Sequence, residues 1–147
     1  MTTDISSILT ENSLLGLQLG WDFNQVLDKL DELDLMYFFK KEQGNNAVFV
    51  IENLKLYFTN NELDFVIIRI GEVEEILFFN HIINKQISLQ SLEEIIKMNN
   101  FSYFEREVTA NGQMNLQIEN KITFIFYIFQ EQYVLNNIQW GGRVLWY

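Results

Sequence analysis

Cysteine and proline are both absent from this 147-residue chain, and it has one histidine, His81. Without cysteine there is no disulfide, no thiol nucleophile and no thiolate metal site. A single imidazole leaves no histidine pair for zinc, and neither a glycine-rich phosphate loop nor a nucleophile elbow occurs. Basic residues are also scarce, ten against twenty acids, for a net charge of -10. That field repels phosphate backbones and speaks against nucleic acid. It favours encounter with a basic protein, although the plain reading of the charge is solubility. Long apolar runs are missing too. The longest, Ile122–Phe129, has the length of a strand rather than a membrane span, and the first residues lack a signal-peptide pattern. A cytoplasmic protein without membrane contact is the expectation.

What is abundant is aromatic and aliphatic surface. Apolar residues make up 48% of the chain, with 13 Phe, 6 Tyr and 3 Trp, a composition that folds rather than staying disordered. The length suits one domain over residues 1–147.

With no proline to punctuate it, the chain is read from Gly, Asn and changes of pattern, and two similar halves emerge. Asp4–Leu15 lies over Glu72–Ile83, each with apolar residues at helical spacing, an Asn and an apolar pair. Asp22–Leu30 lies over Ser88–Ile96, each opening on a residue suited to cap a helix. Phe23, Val26, Leu27, Leu30 and Leu33 make one apolar stripe, and Leu89, Leu92, Ile95 and Ile96 make the other. Tyr37-Phe38 then matches Tyr103-Phe104, Ile51-Glu52-Asn53 matches Ile118-Glu119-Asn120, and Leu54–Phe58 matches Ile122–Phe126. Asp64–Gly71 aligns with Val134–Gly141. Turns are expected at Gly44-Asn45-Asn46, Asn60-Asn61 and Asn111-Gly112, where positive φ is tolerated. The expected fold is α+β: two tandem units, about 4–71 and 72–141, each a helix-loop-helix and a four-stranded antiparallel sheet. They would form one sheet with its helices on one face, followed by an extension over 142–147.

Strand alternation assigns Leu54, Leu56, Phe58, Ile122, Phe124 and Phe126 to the helix-covered face. The opposite face then carries Lys55, Tyr57, Thr59, Thr123, Ile125, Tyr127 and Phe129. The same parity adds Tyr37, Phe39, Tyr103, Glu105 and Glu107. Tyrosine combines contact area with a polar tip, the profile of a binding surface, although β-propensity by itself also enriches aromatics in strands. Partner-binding candidates are therefore Tyr37, Phe39, Tyr57, Tyr103, Glu105 and Tyr127.

Asp28, Asp31, Glu32 and Asp34 form an acidic edge near the end of the first amphipathic helix. They oppose the helix dipole there, a cost that a basic partner would offset. The adjacent acids Asp31-Glu32, Glu74-Glu75 and Glu93-Glu94 point apart on a helix and are read as solvated. No catalytic set, metal site or cofactor is called for, so a non-enzymatic protein is expected.

The order of elements resembles the architecture of the β-lactamase inhibitory protein family. Leu14-Leu15-Gly16-Leu17-Gln18-Leu19-Gly20-Trp21, leading into Asp22 and the helix with Val26 and Leu30, looks like the opening of small bacterial toxin immunity proteins. Asn53–Phe58 and Asp64–Ile68 continue that likeness. The resemblance implies a concave, aromatic-rich sheet that grips an enzyme. The inhibitory proteins are secreted and disulfide-stapled, and this chain departs from them in both respects, which favours a cytosolic target. The expected function is a binding inhibitor, an immunity protein that neutralises a basic toxin domain. The alternative is a small-molecule or peptide-binding module on the open sheet face. A homodimer is a further option, through an edge strand in Trp140–Tyr147.

Overall fold

Helix signals and hairpin turns divide the chain, and the computed structural model describes residues 2–44, 46–71, 75–108 and 112–141. The first half runs β1 (Thr2–Asp4), α1 (Ser6–Glu11), α2 (Phe23–Glu32), β2 (Phe38–Gln43), β3 (Asn46–Ile51), β4 (Leu54–Thr59) and β5 (Glu62–Arg69). The second runs β6 (Glu75–Phe78), β7 (His81–Ile83), α3 (Leu89–Met98), β8 (Tyr103–Val108), β9 (Gln113–Ile118), β10 (Ile122–Phe129) and β11 (Gln132–Trp140). The fold is mixed α+β and dominated by one large sheet of eight strands, in the order β2-β3-β4-β5-β11-β10-β9-β8.

Each longer helix starts where its sequence caps it. Asp22 accepts the amide of Gln25 at 2.9 Å, and the Gln25 side chain accepts the amide of Asp22 at 3.0 Å. This reciprocal pair satisfies two free donors of the first turn of α2. The helix buries Val26 and Leu30 and ends ahead of Asp34, whose φ of 56° no helix continues. Ser88 likewise accepts the Ser91 amide at 3.0 Å, and α3 buries Leu92, Ile95 and Ile96. Between β4 and β5, Asn60 and Asn61 both take positive φ, the two-residue turn whose twist matches a hairpin. Asn45 and Asn111, from the other two expected turns, and the extension 142–147 lie outside the described residues.

The two meanders β2–β5 and β8–β11 meet through their last strands. There β5 and β11 run antiparallel, with Val66 opposite Trp140, Ile67 opposite Gln139 and Ile68 opposite Ile138. Both final hairpins carry a bulge, between Tyr57 and Phe58 in one and between Ile125 and Phe126 in the other. Leu54, Leu56, Phe58, Ile122, Phe124 and Phe126 are all buried, and they join Val26, Leu30, Leu92 and Ile96 in one apolar cluster spanning both halves. Each such side chain contributes roughly 1.5–3 kcal/mol by leaving water.

Two expectations are corrected. Residues 75–83 form a hairpin rather than a second copy of α1, and β6 pairs with β1 in parallel to make a separate three-stranded sheet. The physical reason is period: Ile76 and Phe78 are buried while Glu75 and Leu77 are less so, an alternation of two, and Phe79-Asn80 takes positive φ as a turn. The expected alignment of the final strands set Ile138 over Ile68. In the ladders, however, Ile68 lies opposite Leu54 while it is Trp140 that lies opposite Ile122.

Candidate functional site

Register across the sheet decides which aromatics share a side. Phe39 lies opposite Phe49, and Phe49 opposite Leu56, so Phe39 belongs with the buried side chains of β4. Phe23 of α2 packs on that same side, with ring centroids 4.8 Å from Phe58, 6.0 Å from Phe49 and 6.3 Å from Phe39. Tyr37 stands 5.8 Å from Phe49. Such offset and edge contacts hold the rings in a fixed arrangement. At the other end of the sheet, Tyr103 lies opposite Ile118, and its hydroxyl donates to Glu93 of α3 at 3.2 Å. Glu105 is on that side as well, opposite Leu116.

Tyr37, Phe39, Tyr103, Glu105 and Glu107 therefore leave the face assigned to them by parity. The error is one of counting. Parity along the chain is lost through each loop, whereas the hydrogen-bonded ladder carries the side from strand to strand. Tyr57 and Tyr127 keep their assignment. Tyr57 lies opposite Val48 and Phe65, and Tyr127 opposite Gln113 and Val134. That face is closed at its centre, where Thr123, Ile125, Gln113, Asn115 and Gln139 are all buried. Gln113 donates to Asn115 there at 2.6 Å, while Asn115 Nδ2, Asn137 Oδ1 and Gln139 Oε1 have no partner among the described residues.

The side chains around Phe23 enclose a groove of about 400 Å³, lined by Phe23, Asn24, Leu27, Tyr37, Phe39 and Phe49. It lies between α2 and β2, an edge strand whose outer side pairs with no described residue. Chain leading into and along that edge is apolar and exposed: Met36 at 86%, Phe38 at 75% and Phe39 at 53%. Water does not favour that concentration of apolar surface, which is the mark of an interaction site. Asn24, Leu27, Asp28 and Asp31 recur at the spacing that puts residues on one helix face. The wall of the groove thus continues from Leu27 into two carboxylates. Glu32 pairs with Lys29 at 3.3 Å, whereas Asp28, Asp31 and Asp34 have no ion pair among the described residues. Of the sequence candidates, Tyr37 and Phe39 line the groove, and Asp28 and Asp31 follow on the helix face that carries Leu27, whereas Glu32 and Asp34 are not among its lining residues. Nor are Tyr57, Tyr103, Glu105 and Tyr127. Phe23 and Leu27 were legible only as part of an apolar stripe and Phe38 only through its match to Phe104, while Phe49 and Met36 were not singled out by the sequence.

Two smaller cavities, of about 250 and 230 Å³, lie at the Asn120 turn, one against Leu19, Trp140 and Gly141, the other against Tyr103 and Phe104. At Gly141, φ is +83° and an added Cβ would meet Leu19 Cδ1 at 2.6 Å and the Asp64 carbonyl oxygen at 2.8 Å, so only glycine fits.

One carboxylate pair converges across elements, Glu93 of α3 with Glu105 of β8. Hydrogen bonding to Glu93, some desolvation and repulsion from Glu93 push the Glu105 carboxyl up to about 7 against an opposing pull from Lys97. The Lys97 ammonium lies 5.9 Å from the centre of the Tyr103 ring. Burial first, then Glu107 and Glu105, also raise the Tyr133 phenol. Neither Glu93 nor Glu105 lines any of the three cavities. Among the described residues no cluster of His, Asp and Glu suits a metal ion, and no helix is long and apolar enough to cross a membrane. Comparison with protein-family models, with curated proteins and with solved structures finds no match for this chain.

Proposed function

We propose that this chain is a non-enzymatic, protein-binding inhibitor: a bacterial immunity protein that neutralises a cognate toxin domain by direct binding in the cytoplasm. One observation carries the reading. An aromatic groove lies beside an exposed apolar sheet edge, and the helix face that lines it carries Asp28 and Asp31, which have no ion pair among the described residues. Rigid rings supply buried contact at low ordering cost, and the acids select a basic partner and speed encounter with it. A small-molecule module on the opposite face has less support, because Thr123, Ile125 and Gln139 already close the centre of that face.

The eight-stranded sheet is best explained by tandem duplication. The β5–β11 pairing is unchanged when the halves are exchanged, with Ile67 and Gln139 at the centre, and the bulges recur at matching positions. Under that correspondence Phe23, Leu27 and Phe39 stand where Leu89, Glu93 and Glu105 stand in the second unit. One copy has an apolar groove and the other a charged surface, as expected if the first was specialised for binding.

The test is co-expression with the product of the gene immediately upstream. The wild-type chain relieves growth arrest by that product and forms a stoichiometric complex with it. A Tyr37→Asp, Phe39→Asp double variant with an unchanged circular dichroism spectrum does neither. A growth arrest that the wild-type chain leaves untouched, with no complex on size-exclusion chromatography, refutes the reading.

A further inference from the structure

The outer side of β2 pairs with no described residue, and the groove lies beside its first half, where Phe39 lines it. We infer that the partner adds an extended strand to the β2 edge, placing one large apolar side chain in the groove and a lysine or arginine against Asp28 and Asp31. This inference rests on the protein-binding reading and specifies how the partner is held.

A strand added at this edge would lie about 4.8 Å beyond β2, and alternate side chains would point to the Phe39 side. Those side chains meet Phe23, Leu27 and Tyr37, which leave a volume of about 400 Å³, enough for an aromatic ring. The intervening side chains lie beside Phe38, which is 75% exposed. The useful length is short. Lys40 and the bulge between Lys41 and Gln43 blunt the second half of the edge, devices that discourage indiscriminate pairing. The first half has no such protection. Charge separates the occupants: a second copy of this chain, also at -10, would bring its own Asp28, Asp31 and Asp34 against these acids, whereas a basic segment is attracted. The opposite edge, β8, is an internal contrast. Its helix-side residues Tyr103 and Glu105 are engaged with Glu93 and Lys97 of α3, and the smaller cavity against Tyr103 and Phe104, about 230 Å³, also takes in the polar residues Ser102, Gln117, Glu119 and Asn120.

The probe is a fluorescein-labelled peptide, Lys-Val-Trp-Val-Lys, read by anisotropy and by amide exchange of Phe38–Lys40 in the full chain. Strand addition predicts saturable binding with new protection of the amides in Phe38–Lys40 that point away from β3. Methylating the backbone amides of one alternating set of peptide residues weakens binding by about tenfold or more, and methylating the other set leaves it nearly unchanged. Phe39→Asp abolishes binding, and a combined Asp28→Asn, Asp31→Asn variant weakens it and flattens its dependence on salt. Absence of binding, or equal loss from both methylation patterns, overturns the inference. A concentration-dependent dimer that protects β2 and is lost in Phe39→Asp gives the edge to a second copy and overturns it too. If a toxin is neutralised while those outward amides exchange freely in that complex, strand addition alone falls. If the peptide binds with these signatures but no toxin is neutralised, the immunity reading alone falls.

Discussion

Glu105 shows how one residue's chemistry was hidden from sequence inspection. Glu93 looked like half of a solvated Glu93-Glu94 pair, and its real neighbour comes from a strand twelve positions later in the chain, in β8. Hydrogen bonding to Glu93, desolvation and repulsion from Glu93 hold the Glu105 carboxyl at about 7 in the folded chain, above the ordinary 4.5. The folded state therefore binds the Glu105 proton more tightly than the unfolded state. The associated stability is fully present below 4.5 and is lost as pH rises to about 7. Urea midpoints measured at about pH 5 and about pH 8 should fall with pH in the wild type. Glu105→Gln should remove most of that fall. A slope unchanged in the variant would assign the pH dependence to other groups.

At the scale of elements, helices and turns were legible where local chemistry alone sets them. Asp22 and Ser88 announce α2 and α3 through their caps, and Asn60-Asn61 announces its hairpin. The Asn61 side chain also accepts the Phe23 amide at 3.2 Å, tying the β4–β5 turn to the start of α2 and so fixing one end of the groove. Asn61→Ala loses that bond and strains a φ of 62°, and should cost about 1–2 kcal/mol in equilibrium unfolding. Asn61→Gly loses the bond but relieves the strain, and should cost about half as much. Equal losses would place the whole effect in the hydrogen bond. Residues 75–83 were misread because Ile76-Leu77-Phe78-Phe79 is a continuous apolar run, which fits a short alternation as well as a helical stripe. Pairing with β1, which is remote in sequence, settles the choice.

For the whole molecule, the excess of acids acts at a distance that no single contact does. Association with a basic partner should slow steeply as salt rises from about 50 to about 500 mM in stopped-flow measurements, with dissociation changing far less. Reversing this pattern, with salt acting mainly on dissociation, would point to desolvated ion pairs rather than steering. The two meanders share one apolar cluster, so the groove at one edge is braced by strands from both halves.

Composition and local pattern were enough to determine an α+β chain rich in strands, with capped amphipathic helices and an aromatic surplus, because capping, turn geometry and periodicity act over a few residues. They were also enough to gather Asp28, Asp31, Glu32 and Asp34 near one helix end. Which aromatics face one another was decided by tertiary structure alone. A side chain's face is inherited through the register of each ladder, and one residue gained or lost in a loop reverses it. That moved Tyr37 and Phe39 beside Phe23 and Phe49, turned a presumed open face into a groove under an edge strand, and brought Glu105 to Glu93.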